Sequence, residues 1–200
     1  MFEMVIANIL GIFILIFLFW LRLKDDYHYE KIFNLVSFVL AGILIGFISL
    51  KFVPSVYWFW IYLIAIILSF TVGIIKLKIR FFESLDSLVI SLLPYFGLYL
   101  LSQSIKNYSL SSFIGFWIVT VFVFLYFFVD ANYRKFTWYK SGRVGFSGLL
   151  VAGLFFIARS VLSVFFVDGP TIIGQLDIYI SATFSFVSFL LLFNLAKKVS

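Results

Sequence analysis

The chain contains no cysteine, one histidine, three prolines and few charges. Without cysteine there is no thiol nucleophile, no disulfide and no thiolate metal site. A single histidine, His28, cannot build a zinc site with carboxylates as scattered as these, so neither a metal nor a cofactor is expected. Charged residues make up 12% of the 200 positions, about half the share of a soluble chain. What fills their place is hydrocarbon: 64% of residues are hydrophobic and the mean hydropathy is +1.16. A soluble domain is excluded, and the composition predicts an all-α polytopic membrane protein with one integral membrane domain over residues 1–200. The N-terminus has no basic n-region and no A-x-A site, and its only early charge is Glu3. It reads as a span and not as a cleavable signal peptide.

Runs of ~20 apolar residues mark spanning helices. Seven are expected: about Val5–Leu21, Ile32–Phe52, Val56–Ile75, Leu85–Ile105, Phe113–Val129, Phe146–Val167 and Ile178–Leu195. The loops between them are too short for a soluble domain, so function must reside in the membrane or at its faces. Lysine and arginine set the orientation. The odd-numbered loops and the tail hold Arg22, Lys24, Lys31, Lys76, Lys78, Arg80, Arg134, Lys135, Lys140, Arg143, Lys197 and Lys198. The even-numbered loops hold only Lys51 and Lys106. Such a bias predicts the N-terminus outside and the C-terminus in the cytoplasm.

The one basic residue outside this pattern is Arg159, stranded in the run from Val144 to Val167. A guanidinium does not lose its proton, so in hydrocarbon it must snorkel, meet a carboxylate or bind an anion. No Asp or Glu lies within a helical turn or two of it in sequence. At 1.5 Å per residue it sits about 20 Å from the cytoplasmic end of its helix, in the outer half. The fourth helix ends outward in SQSIKN, bringing Ser102, Gln103, Ser104 and Asn107 to similar depth, and the sixth loop brings Asp168, Gln175 and Asp177 to the same face. A polar pocket around a fixed positive charge would suit a phospholipid phosphate, with Arg159, Gln175 and Gln103 as the candidate binding residues. The plainer alternative is an arginine that snorkels or caps backbone carbonyls.

Other motifs have structural readings. His28 lies in DDYHYEK beside Asp25, Asp26 and Glu30; a solvated loop histidine is favoured over a proton relay or a weak metal ligand. Glu83 and Asp86 open the fourth helix, where carboxylates suit the helix dipole. Gly42 and Gly46 form a small-xxx-small face for close helix approach, and Gly145, Gly148 and Gly153 offer another near the base of the sixth helix. The fifth loop, DANYRKFTWYKSGRVG, mixes basic and aromatic residues. On a membrane surface this favours anionic lipid head groups over nucleic acid.

SGRVGFSGLLVAGLFFIARSVLSVFF followed by GQLDIYISATFSFVSFLLLFNLAKK resembles the last two helices of bacterial prolipoprotein diacylglyceryl transferase. Arg159, Gly174 and Gln175 fall on that family's buried arginine and Gly-Gln positions. FFESLDSLVISLLPYFG is similar to its aromatic-Asp-Pro segment, with Asp86 and Pro94 in place, and LRLKDDYHYEKIFNLVSFVLAGILIG looks like its first loop and second helix. The departures are specific. PSVYWFWIYLIAI stands where the family has His-Gly-Gly, GFIS replaces an arginine motif, and SQSIKN replaces Arg-x-x-Asn. Ser163 and Phe166 stand for a glutamate and an arginine. The resemblance implies a protein of the bacterial plasma membrane that moves diacylglyceryl from phosphatidylglycerol to the lipobox cysteine of a precursor protein. No catalytic base is identifiable on the outer side. A reduced homologue with impaired transfer is therefore expected, and the alternative is a non-catalytic phospholipid- or partner-binding protein. The oligomeric state stays open.

Overall fold

The computed structural model describes residues 2–54, 57–136, 139, 144–165 and 175–197. Among the described residues the chain is all-helical, with seven helices long and apolar enough to cross a membrane. They are α1 (Phe2–Leu23), α2 (Tyr29–Ser49), α3 (Trp58–Leu77), α4 (Phe81–Asn107), α5 (Leu110–Asn132), α6 (Phe146–Phe165) and α7 (Gln175–Lys197). Each expected run coincides with one helix, and the ends that lie within the described residues differ by about a turn or less. Lys78 and Tyr108 end α3 and α4 in the left-handed conformation, with φ of 52° and 49°. Ser109 opens α5, its hydroxyl accepting from the Ser112 amide at 3.3 Å.

The chain folds as antiparallel neighbours, α2 against α3, α4 against α5 and α6 against α7, while α1 packs along α4. α4 is the central helix and touches α1, α5 and α6. Its buried face carries Ser84, Ser87 and Ser91, all fully inaccessible, so neighbouring backbones come close. A bare hydroxyl in a dry interior would be costly. Each instead donates back to its own helix: Ser84 to the Arg80 carbonyl at 2.9 Å, Ser87 to Glu83 at 3.2 Å and Ser91 to Leu88 at 3.0 Å. The expected glycine face of α2 is present. A Cβ on Gly42 would stand 2.7 Å from the Ile66 Cα, and one on Gly46 would be 3.2 Å from the Tyr62 Cα, so both glycines seat α2 on α3.

Call the end where α1 finishes and α2 begins the basic end. Here Leu15, Phe19 and Leu23 of α1 meet Ile32, Leu35 and Val39 of α2, Phe70 and Ile74 of α3 and Leu88 of α4 in one dry core. Toward the other end the pair α1/α4 and the pair α2/α3 part. Aromatic contacts bridge α3 to α4 there, with Trp58 against Tyr99 at 4.4 Å and Phe59 against Phe96 at 5.1 Å between ring centroids.

Candidate functional site

Arg159 is buried, and its partner comes from the next helix. Its Nη2 donates to Asp177 Oδ1 at 2.8 Å, a side chain with no exposure at all. Asp177 lies in the first turn of α7, where the dipole also favours a carboxylate. Two more donors reach it: Trp60 Nε1 from α3 at 2.6 Å and the Ser163 hydroxyl from α6 at 2.7 Å. The guanidinium carbon lies over the Phe59 ring, 3.8 Å from its centroid, and 5.3 Å from that of Trp60. One charge pair thus knits α3, α6 and α7, and the cation is neutralised where it stands. Ser163, which replaces a glutamate in the resemblance, belongs to this cluster as a donor.

The other expected binding residues lie elsewhere. Gln103, half-buried on α4, donates to the Tyr99 hydroxyl at 3.0 Å and accepts from Asn107 at 2.9 Å. Gln175 is exposed at the start of α7. Asp168 and Gly174 fall outside the described residues. His28 is exposed at the N-cap of α2, at the basic end, its ring tilted against that of Tyr29 with 4.4 Å between centroids.

Where the two helix pairs part there is a cavity of about 440 Å³. α1 contributes Asn8 and Ile12, α2 runs from Ile43 to Leu50, α3 from Trp58 to Ile66, α4 from Val89 to Tyr99, and α6 adds Ala152, Phe155 and Phe156. None of the described residues lining it is charged, and none is a histidine. The polar atoms are phenols, the Trp58 ring nitrogen and one amide; the Tyr95 hydroxyl and the Asn8 carbonyl oxygen stand 3.5 Å apart. From Val89 to Tyr99 the wall rises about 15 Å, half of the ~30 Å hydrocarbon thickness of a bilayer. Leu44 and Phe47 line the cavity yet are 63% and 59% exposed, so it opens sideways past α2. Phe59 stands between the cavity and the Arg159 cluster, lining the one and covering the other.

A second ionic cluster lies at the basic end, and little in the sequence signals it. Asp86 of α4, fully buried, accepts from Arg22 Nη2 of α1 at 3.0 Å. It also accepts the backbone amides of Gly145 at 3.0 Å and Gly148 at 2.6 Å. The dipole that Asp86 serves is therefore that of α6, across the bundle, and not that of its own helix as the sequence suggests. Gly145 turns with φ of +72° to present its amide, and a Cβ on Gly148 would stand 2.8 Å from the Asp86 Cα. Arg22, expected in a loop, belongs to the last turn of α1. It donates to the Tyr126 hydroxyl at 3.1 Å and lies 3.8 Å from Asp130 of α5. Nearby, the Tyr27 phenol donates to Glu83 at 2.5 Å and accepts the Arg80 amide at 3.1 Å. Burial and the Glu83 hydrogen bond push that phenol's pKa up.

Two clusters and a cavity, then, separate by chemistry: charge is locked inside the bundle, and the accessible space is apolar. The chain matches no known protein family, no curated protein and no solved structure.

Proposed function

We propose that the protein is a multi-pass protein of a bacterial plasma membrane that binds a phospholipid without transferring it. In this reading the basic end faces the cytoplasm, as the lysine and arginine bias favours, and the cavity lies in the outer leaflet. The observation that carries the reading is the cavity itself: uncharged, aromatic, one leaflet deep and open sideways to the hydrocarbon. At that depth the only abundant apolar ligand is a lipid chain.

Diacylglyceryl transfer, the activity implied by the resemblance, requires a cation on the departing phosphate and a base for the thiol proton. The cavity lining offers neither, and Arg159 is engaged by Asp177 behind Phe59. Binding alone is therefore favoured over transfer, and lipobox precursors are not needed as partners.

The test uses the full chain in nanodiscs containing a phospholipid with a photoreactive group in its acyl chain. Adducts are expected on cavity residues such as Tyr62, Phe96 and Phe155. Adducts confined to outward faces, such as Val121 and Phe124 of α5, would refute the reading.

A further inference from the structure

Three phenols of the cavity wall gather at one level, and that level decides which part of a lipid they meet. We infer that Tyr62, Tyr95 and Tyr99 recognise the ester linkage of a glycerolipid by donating to its acyl carbonyls, so that the cavity distinguishes acyl lipids from their ether-linked counterparts. The inference rests on the lipid-binding reading above and names the ligand's chemistry at that same site.

Each ring is held in place. The Tyr62 ring lies over Gly46 of α2 and the Tyr95 ring over Gly11 of α1, where a Cβ would stand 2.8 and 2.7 Å from the ring carbons. Trp58 packs on both Tyr62 and Tyr99, with ring centroids 6.3 and 4.4 Å away. All three tyrosines line the cavity. Their protons can be given to a ligand. The Tyr99 oxygen accepts from Gln103 Nε2 at 3.0 Å, which leaves its one proton to donate elsewhere. The Tyr95 hydroxyl reaches Asn8 Oδ1 only at 3.5 Å, so a closer acceptor takes that proton.

Depth selects the acceptor. α4, with 27 residues, rises about 40 Å, the thickness of a bilayer with its head groups. The head-group layer takes roughly 5–8 Å of this at each face. Counted from the end opposite the basic end, Tyr62 lies four residues into α3 and Asn8 six residues into α1, about 6 and 9 Å down. The Tyr99 hydroxyl meets Gln103, four residues from the end of α4, and the Tyr95 hydroxyl is level with Asn8. The donors therefore converge where head groups give way to hydrocarbon, which is the level of the ester carbonyls. A phosphate sits farther out. An ester carbonyl accepts as a backbone carbonyl does, whereas an ether oxygen between two methylenes is a weaker and more hindered acceptor.

The experiment places purified full-length protein in nanodiscs of equimolar diacyl and dialkyl phosphatidylcholine, identical in head group and chain length. Lipids retained on mild detergent extraction are counted by native mass spectrometry. Ile12→Trp and Ala152→Trp fill the cavity from two sides, and circular dichroism checks that each variant folds. Tyr179→Phe, which alters an exposed tyrosine near the same end of α7, is the control. Wild type and Tyr179→Phe should retain the diacyl lipid about fivefold over the dialkyl, the scale of one neutral hydrogen bond. Tyr62→Phe combined with Tyr99→Phe removes two oxygens and no ring, and should bring the ratio within about twofold of unity while lipid is still retained. At least one folded filling variant should lose the lipid. Loss on filling with a wild-type ratio already near unity would overturn the ester inference while sparing the lipid site. So would a fivefold preference that survives in the double phenylalanine variant. Retention unchanged in folded filling variants would remove the lipid-binding reading itself, whatever the ratio.

Discussion

Removing one member of the Arg159–Asp177 pair should cost far more than removing both. Arg159→Leu leaves a carboxylate with no solvent exposure and only two neutral donors, Trp60 and Ser163. Breaking a buried pair from one side typically costs about 3–5 kcal/mol, because the survivor is an uncompensated charge. Asp177→Leu should cost a similar amount, since it removes the carboxylate that faces a buried guanidinium. The double variant strands no charge; it loses only the Trp60 and Ser163 bonds, about 1 kcal/mol each. The coupling energy should therefore exceed about 3 kcal/mol, well above the ~0.6 kcal/mol average of an interhelical hydrogen bond in a membrane protein. The assay is reversible unfolding in mixed micelles with increasing SDS, followed by near-UV circular dichroism and tryptophan fluorescence, for wild type, both single variants and the double. Single-variant losses that add to within about 0.5 kcal/mol would refute the reasoning, because independent sites add to that precision.

Other outcomes are specific to single positions. Gly148→Ala should destabilise by at least ~3 kcal/mol or prevent assembly, since its Cβ meets the Asp86 backbone, whereas Gly115→Ala meets only the tip of Leu100 and should be nearly neutral; the same SDS titration compares them. Tyr108→Gly should stabilise by about 1 kcal/mol, because the side chain is 95% exposed and the backbone sits at φ 49°, and a lowered melting temperature would contradict this. Reporter fusions after Arg80 and Ser200 should report cytoplasm and one after Asn107 the outside; an outside signal at Arg80 would reverse the proposed orientation. A lipobox-peptide assay with phosphatidylglycerol should show little or no diacylglyceryl transfer, and sustained turnover would restore the transferase reading.

Sequence and structure part company where partners come from other helices. The spans were legible because a bilayer imposes a length and a polarity that single segments must meet alone. The α2–α3 contact was legible for a similar reason, since Gly42 and Gly46 mark a close approach whatever the partner. Arg159 announced a need that only tertiary structure could fill. Asp177 is eighteen residues on, across a connection and one turn into another helix. Arg22 was misplaced because the hydropathy run ends at Leu21, and a basic residue at such a boundary reads as loop. In Asp86 a local dipole argument was correct in kind but assigned to the wrong helix. The cavity's trace in the sequence is aromatic, Trp58 and Phe59 at the head of α3. Run length alone cannot show that helix pairs part there.

That parting is lopsided, and the two ends of the bundle are tied by different chemistry. At the basic end Asp86 grips α1 through Arg22 and the start of α6 through two amides, while the dry core seals α2 and α3 against the same wall. Asp86 thereby holds α1, α4 and α6 at a common depth, and none of these three can slide along its axis without breaking a bond to a buried carboxylate. The far end is tied too, by other means: Trp60 of α3 donates to Asp177 of α7, and Trp58 and Phe59 pack on Tyr99 and Phe96 of α4. Cutting the latch at the basic end with Arg22→Leu would leave Asp86 to the two α6 amides and α1, at that end, to its apolar packing alone.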